Sequence, residues 1–157
     1  MKTKLFQILG VAAIATIGLA SCETDACQDV TCDNGGTCVE GDCVCATGYE
    51  GTNCETLVRA AFIGSFNVNE TCAQSTDSYA VTISAGSSDT EVTISNLYDA
   101  GFVVTGTVNA DGGITINNQT FGTGTLSGSV TRSGGVTTFN FTIAVGGQSD
   151  TCSAVSQ

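Results

Sequence analysis

Six cysteines fall between Cys27 and Cys54, spaced C-x4-C-x5-C-x4-C-x-C-x8-C. A segment this short, with so few large apolar side chains, cannot bury enough surface to offset the entropy of ordering it, so covalent links must take the place of a core. Clustered cysteines can also hold metal. Zinc sites draw on histidine as well as thiolate, however, and the chain has no histidine, so oxidised cysteines in an exported protein are the better reading. Spacing alone leaves fifteen ways to pair six cysteines.

The same run carries Asn34-Gly35-Gly36-Thr37-Cys38 at its third cysteine and closes on Cys45-Ala46-Thr47-Gly48-Tyr49-Glu50-Gly51-Thr52-Asn53-Cys54. In these features it resembles an EGF-like domain. The resemblance implies the pairs Cys27 with Cys38, Cys32 with Cys43 and Cys45 with Cys54. The residues fit that reading: Gly35, Gly36 and Gly48 suit sharp turns, and Tyr49 offers one large ring to a module nearly devoid of others. Some members of that family bind calcium through an acidic pair before the first cysteine and an Asn or Asp after the third. Asp25-Ala26-Cys27 and Val39-Glu40-Gly41-Asp42 depart from that pattern, so no metal is expected, and the acids from Glu23 to Glu55 are read as a solvated face.

After Glu55 the composition turns to Thr, Ser, Gly and Val, and apolar residues alternate with polar ones. Phe62, Phe66 and Val68 share one parity, as do Tyr79, Val81 and Ile83; Val92 and Ile94; Phe102, Val104 and Val108; Ile114 and Ile116; Leu126 and Val130; and Phe139, Phe141, Ile143 and Val145. Period-two alternation predicts strands. Ala85–Asp89, Asn109–Gly113, Ser133–Gly135 and Gly146–Gln148 are rich in turn residues and short enough for antiparallel hairpins, which leaves no room for parallel crossovers. The expectation is a mainly β chain: a small disulfide-rich EGF-like module, then an antiparallel β-barrel or sandwich of about eight strands, with the barrel preferred. Cys72, at the end of the first of these strands, has Cys152 in the last as its remaining partner, which would bring first and last strands together.

The N-terminus reads MKTKLFQILGVAAIATIGLASC. Two lysines precede an apolar stretch from Leu5 to Ala20, and small residues lead into Cys22, the layout of a secretory signal. As a helix this stretch spans about 24 Å, short of a hydrocarbon core of about 30 Å. Leu19-Ala20-Ser21-Cys22 resembles the lipobox of bacterial lipoproteins, which implies that Cys22 carries a diacylglycerol and becomes the first mature residue. Nine cysteines then resolve into one lipidated and eight paired. The expected organisation is a signal peptide at 1–21, a lipidated tether at 22–26, the EGF-like module at 27–55 and the β domain at 56–157. Glu23 and Asp25 loosely resemble the acidic signals that route some lipoproteins outward, so the expected location is the cell envelope, on the outer membrane and open to surface display.

Cutting before Cys22 leaves Arg59 and Arg132 as the basic residues against fifteen acids. Nucleic acid and anionic headgroups both require clustered Lys and Arg, so attachment to the lipid bilayer would rest on acyl chains alone. That mature chain has no His, no Lys and no spare thiol, which excludes Ser-His-Asp, Cys-His and Ser-Lys nucleophiles, histidine-bound metals and lysine Schiff bases. A carboxylate pair survives as a catalytic option, with Glu70, Glu91, Asp99 and Asp111 as its candidates. Leu97 and Tyr98, in a loop, are the binding-patch candidates, set against a loop that merely packs over the barrel mouth. The expected function is a non-enzymatic envelope lipoprotein, without cofactor, that binds protein or glycan or serves a structural role; a lipocalin-like carrier of an apolar ligand and a carboxylate glycan hydrolase are the alternatives.

Overall fold

The computed structural model describes residues 25–157. Cys22 and the apolar N-terminal stretch lie outside them. The cysteine-rich segment forms two small ladders. Strands β1 (Thr37–Val39) and β2 (Asp42–Val44) make a hairpin, and β3 (Tyr49–Glu50) pairs with β4 (Thr56–Leu57). Three disulfides hold it: Cys27–Cys38, Cys32–Cys43 and Cys45–Cys54. Between residues 25 and 57 only Gly48 and Cys54 are buried, so these links do what a core does elsewhere. Gly36 is confined by the last of them, since a Cβ there would lie 2.8 Å from the Cys54 sulfur.

The remaining eight strands are β5 (Gly64–Cys72), β6 (Thr76–Ala85), β7 (Glu91–Ser95), β8 (Val103–Val108), β9 (Ile114–Phe121), β10 (Gly124–Ser133), β11 (Val136–Val145) and β12 (Gln148–Ser156). Each pairs antiparallel with the next, and β12 returns to β5, closing a barrel. Closure removes the free edges that a meander would otherwise expose. At the seam Cys72 and Cys152 are direct cross-strand partners joined by a disulfide, with Cα atoms 4.1 Å apart.

The alternation in the sequence becomes inside and outside. Val68, Val81, Ile83, Val92, Ile94, Val104, Ile114, Ile116, Leu126, Val130 and Phe139 are buried within the barrel, while Thr, Ser and Asn cover most outward positions. An outer-membrane barrel wears its apolar belt outside, so this pattern is that of a barrel facing water. Phe62 departs from expectation. It precedes β5 instead of lying in it, at the end of a 3-10 turn over Val58–Ala61, and with Val58 it plugs the lower end.

The strands do not pair evenly. Between β9 and β10 the register shifts, so that Asn117 and Asn118 stand opposite Ser127 alone. Ile114 and Ile116 point inward before this bulge, and Gln119 and Phe121 turn toward the interior after it. Pairing of β8 with β9 stops at Thr107↔Thr115. There the Gln119 amide substitutes for the missing backbone, accepting from the Thr105 N–H at 2.8 Å and donating to the Thr105 carbonyl at 2.5 Å.

The disulfide-rich module sits on the lower end. Val58 N–H donates to the Gly48 carbonyl, and the β3–β4 ladder spans the boundary expected after Glu55. Tyr49 Oη donates to Asp89 at 2.6 Å, while Arg59 pairs with Asp89 at 3.5 Å and donates to the carbonyls of Gly86, Ser88 and Glu91. The upper end is left to the barrel's own loops.

Candidate functional site

The upper mouth is built by the β5–β6 turn at residues 73–75, the loop 96–102 between β7 and β8, the β9–β10 turn at residues 122–123, the end of β11 and the start of β12. Leu97 and Tyr98 lie in that loop, and the structure separates them. Leu97 is fully buried and stoppers the barrel, so it offers nothing to a partner. Of the two expectations for this loop, Leu97 follows the one in which it packs over the barrel mouth and not the binding patch: the loop folds over because an aliphatic side chain gains more by entering the core than by facing water. Tyr98 is half-buried, meets the Phe141 ring edge to face at 6.3 Å, and lines an open groove.

The loop's backbone is strained. Asn96, Tyr98 and Asp99 all have left-handed φ, at 64°, 65° and 46°, a conformation that costs on the order of 1–3 kcal/mol per non-glycine residue. Side-chain bonds hold it there. Asn96 Nδ2 donates to the Ala80 carbonyl at 2.9 Å and to Asp99 Oδ1 at 3.2 Å, and its Oδ1 accepts from Gly101 N–H at 2.9 Å. Tyr98 N–H donates to Tyr79 Oη at 2.8 Å, and that hydroxyl donates in turn to Glu70 Oε2. A relay thus runs from the loop to a carboxylate inside the barrel.

Glu70 shares inward parity with Val68 and Cys72, is 4% exposed, and stands directly across from Asp77 on β6. Its Oε1 lies 3.3 Å from the Cys72 sulfur. That sulfur is in a disulfide and carries no proton, so Oε1 has no hydrogen-bond donor among the described residues. Burial raises the Glu70 pKa; the Tyr79 hydroxyl opposes the shift, and the charges of Asp77, Asp150 and Asp99 add to it. Burial and the bond to Glu70 likewise push the Tyr79 phenol up. Glu70, Cys72 and Cys152 form a compact group of ligand-type atoms, but two of the three are disulfide sulfurs and not thiolates.

The other expected carboxylates are scattered. Asp99 is exposed on the loop, at the same end as Glu70. Glu91 lies at the lower end, where the Ser87 backbone N–H and then its hydroxyl hold the carboxyl below its usual range. Asp111 occupies the β8–β9 turn, also below. Asp25 accepts from the Cys27 N–H at 2.9 Å, a local turn contact.

The groove beside Tyr98 encloses about 280 Å³ and is lined by Gln74, Ser75, Ile143, Val145, Gln148, Ser149 and Asp150. Asp150 Oδ1 accepts from the Ala73 N–H at 3.1 Å, tying β12 to the β5–β6 turn. Sequence reasoning did not single out Asp150. Its parity with Cys152 and Ala154 was the available signal, since an acid on the inward face of a strand must sit at a barrel end. Comparison of the chain with known protein families, with curated proteins and with solved structures gives no match.

Proposed function

We propose that the chain is a non-enzymatic lipoprotein of the bacterial cell envelope, anchored through acylated Cys22 on the outer membrane, that presents an EGF-like module and a β-barrel for binding protein or glycan. The observation that carries this reading is the cysteine arithmetic. All eight described cysteines are paired with one another, so none of them requires the sulfur of Cys22, the residue that ends the lipobox-like tetrapeptide. Binding in place of catalysis is supported by the residue inventory, with no histidine or lysine among the described residues; of the four candidate acids, Glu91 and Asp111 lie at the opposite end from Glu70 and Asp99. A surface site in place of an internal one is supported by the side chains that fill the barrel, with Phe66 and Phe139 in edge contact at 6.3 Å. The module covers the lower end, which leaves the upper mouth as the face to present.

Intact-mass analysis of protein extracted from its native membrane tests the anchor. The expected mass begins at Cys22 and includes two or three acyl chains, with no titratable thiol under denaturing conditions. An unacylated terminus or a free sulfhydryl would overturn the reading. Protease treatment of intact cells tests display: cleavage without lysis is the result expected of a surface protein.

A further inference from the structure

We infer that the upper mouth is a receptor for a basic peptide segment of a partner protein, taking one arginine side chain into the groove between Tyr98 and Asp150. The inference rests on the binding reading above and names its partner chemistry.

Charge is the first argument. Asp77 stands across from Glu70 on β6, Asp150 lies two residues before Cys152, the cross-strand partner of Cys72, and Asp99 sits in the loop 96–102 at the same end. The basic residues among the described ones are both at the other end. Arg59 is bound to the 86–91 turn, and Arg132 lies over the Phe66 ring and donates to Thr137 at 3.1 Å. Among the described residues these acids therefore have no counter-cation, and one oxygen of buried Glu70 has no donor. Such a field repels phosphates, carboxylates and anionic sugars and favours a cation.

The groove supplies the second argument. Ile143 and Val145 offer an aliphatic wall, Tyr98 an aromatic one, and Asp150 stands on the strand beside them, across from Ile143. An arginine divides in the same way, with a methylene stem that packs on apolar surface and a planar guanidinium that pairs with carboxylate and stacks on aromatic rings. Gln74 and Gln148 at the rim suit the peptide backbone on either side. The volume, about 280 Å³, falls at the small end of ligand pockets and holds one long side chain better than an oligosaccharide.

The test uses the full mature lipoprotein in a neutral polyoxyethylene detergent, titrated calorimetrically with acetyl-Gly-Gly-Arg-Gly-Gly-amide. Its citrulline analogue, of the same shape without the charge, and a neutral trisaccharide serve as comparators. The arginine peptide is expected to bind, and the citrulline peptide to bind roughly tenfold more weakly or not at all. Asp150→Asn, which keeps an oxygen for the Ala73 N–H, should weaken arginine binding about tenfold, while Asp111→Asn at the far end should leave it unchanged. Val145→Ser, at an exposed position, should weaken it a few-fold while leaving the circular dichroism of the barrel unchanged. Equal binding of arginine and citrulline, indifference to both mouth variants, or no arginine binding at millimolar concentration would each overturn the inference. Trisaccharide binding blocked by the same variants would overturn it too, yet leave the binding function standing. Failure of the lipoprotein reading shows separately, as an unacylated mass in the same preparation.

Discussion

The two halves of the described chain reach order by different physics. From residue 25 to 57 only Gly48 and Cys54 are buried, the ladders are two or three residues long, and three disulfides hold the segment. From residue 64 onward the strands run five to ten residues, and their inward side chains form one continuous core. One disulfide crosses that core, where the barrel closes on itself. The contrast shows what a cross-link is for in each place: in the module it stands in for burial, and in the barrel it reinforces a closure that hydrophobic contact already favours.

Reduction is the strongest way to break this comparison. Each module disulfide closes a short loop worth about 2–3 kcal/mol in the chain-entropy model, and the seam link, closing a much longer one, about 4–5 kcal/mol. Partial reduction and alkylation should label Cys27, Cys38, Cys32 and Cys43, whose two disulfides have both partners partly exposed, before buried Cys72 and Cys152. A non-specific protease should then cut between residues 25 and 57 while a barrel fragment survives. A module that stays resistant after alkylation would show that it has a core of its own.

The next effect falls on the other half. Phe139 is the largest fully buried side chain, and Phe139→Ala should destabilise the barrel by about 3–5 kcal/mol. Urea denaturation followed by circular dichroism measures this, and mass mapping should still find the module's disulfides intact. Loss of module structure in the same variant would mean that the halves fold as one unit.

A smaller effect depends on pH. Because the native Glu70 pKa is raised, the folded state binds that proton more tightly than the unfolded state does. The barrel is therefore most stable, with respect to this group, below the ordinary carboxylate range, and loses that contribution as pH rises through the raised native value. Glu70→Gln keeps an acceptor for Tyr79 and removes the titration. Its urea midpoint should match the parent at about pH 4 and exceed it at about pH 7 to 8. Parallel curves for the two proteins at all pH values would refute this.

The smallest effect sharpens the boundary between the halves. Tyr49→Phe removes the hydroxyl bonded to exposed Asp89. Chemical-shift changes should be confined to residues around 49 and 86–91, with overall stability unaltered within error. Asp89→Asn, which removes the partner's charge and leaves the phenol in place, should bring the raised Tyr49 pKa back down, because the bond to Asp89 is its chief cause; ultraviolet titration of the phenol reads the shift.

Much of the fold was legible in local pattern. Period-two alternation marked the inward faces, and short Gly-rich turns required antiparallel neighbours, because both depend only on residues a few positions apart. Phe62 was misplaced for the same reason: its parity fits β5, but the chain turns before the strand begins, a choice made by packing against the barrel's lower end. Tyr98 was legible as a loop residue. The fate of Leu97 next to it was not, since burial or exposure of a loop apolar is decided by whether a core lies within reach.

By itself the sequence determined the mainly β class, the contrast between a cysteine-rich segment and an alternating one, and the poverty of catalytic groups, all of which follow from composition and short-range spacing; the pairing left to Cys72 and Cys152 followed from the resemblance of the cysteine-rich run to an EGF-like domain. Only the tertiary structure decided that the sheet closes as a barrel, that the bulge at Asn117 and Asn118 turns Gln119 into a surrogate for a strand, and that Glu70, Asp77, Asp99 and Asp150 meet at one mouth while both arginines lie at the other. Those residues are far apart along the chain, and the physical reason they meet is strand closure, which sets distant positions side by side through register rather than through any pattern a single strand contains.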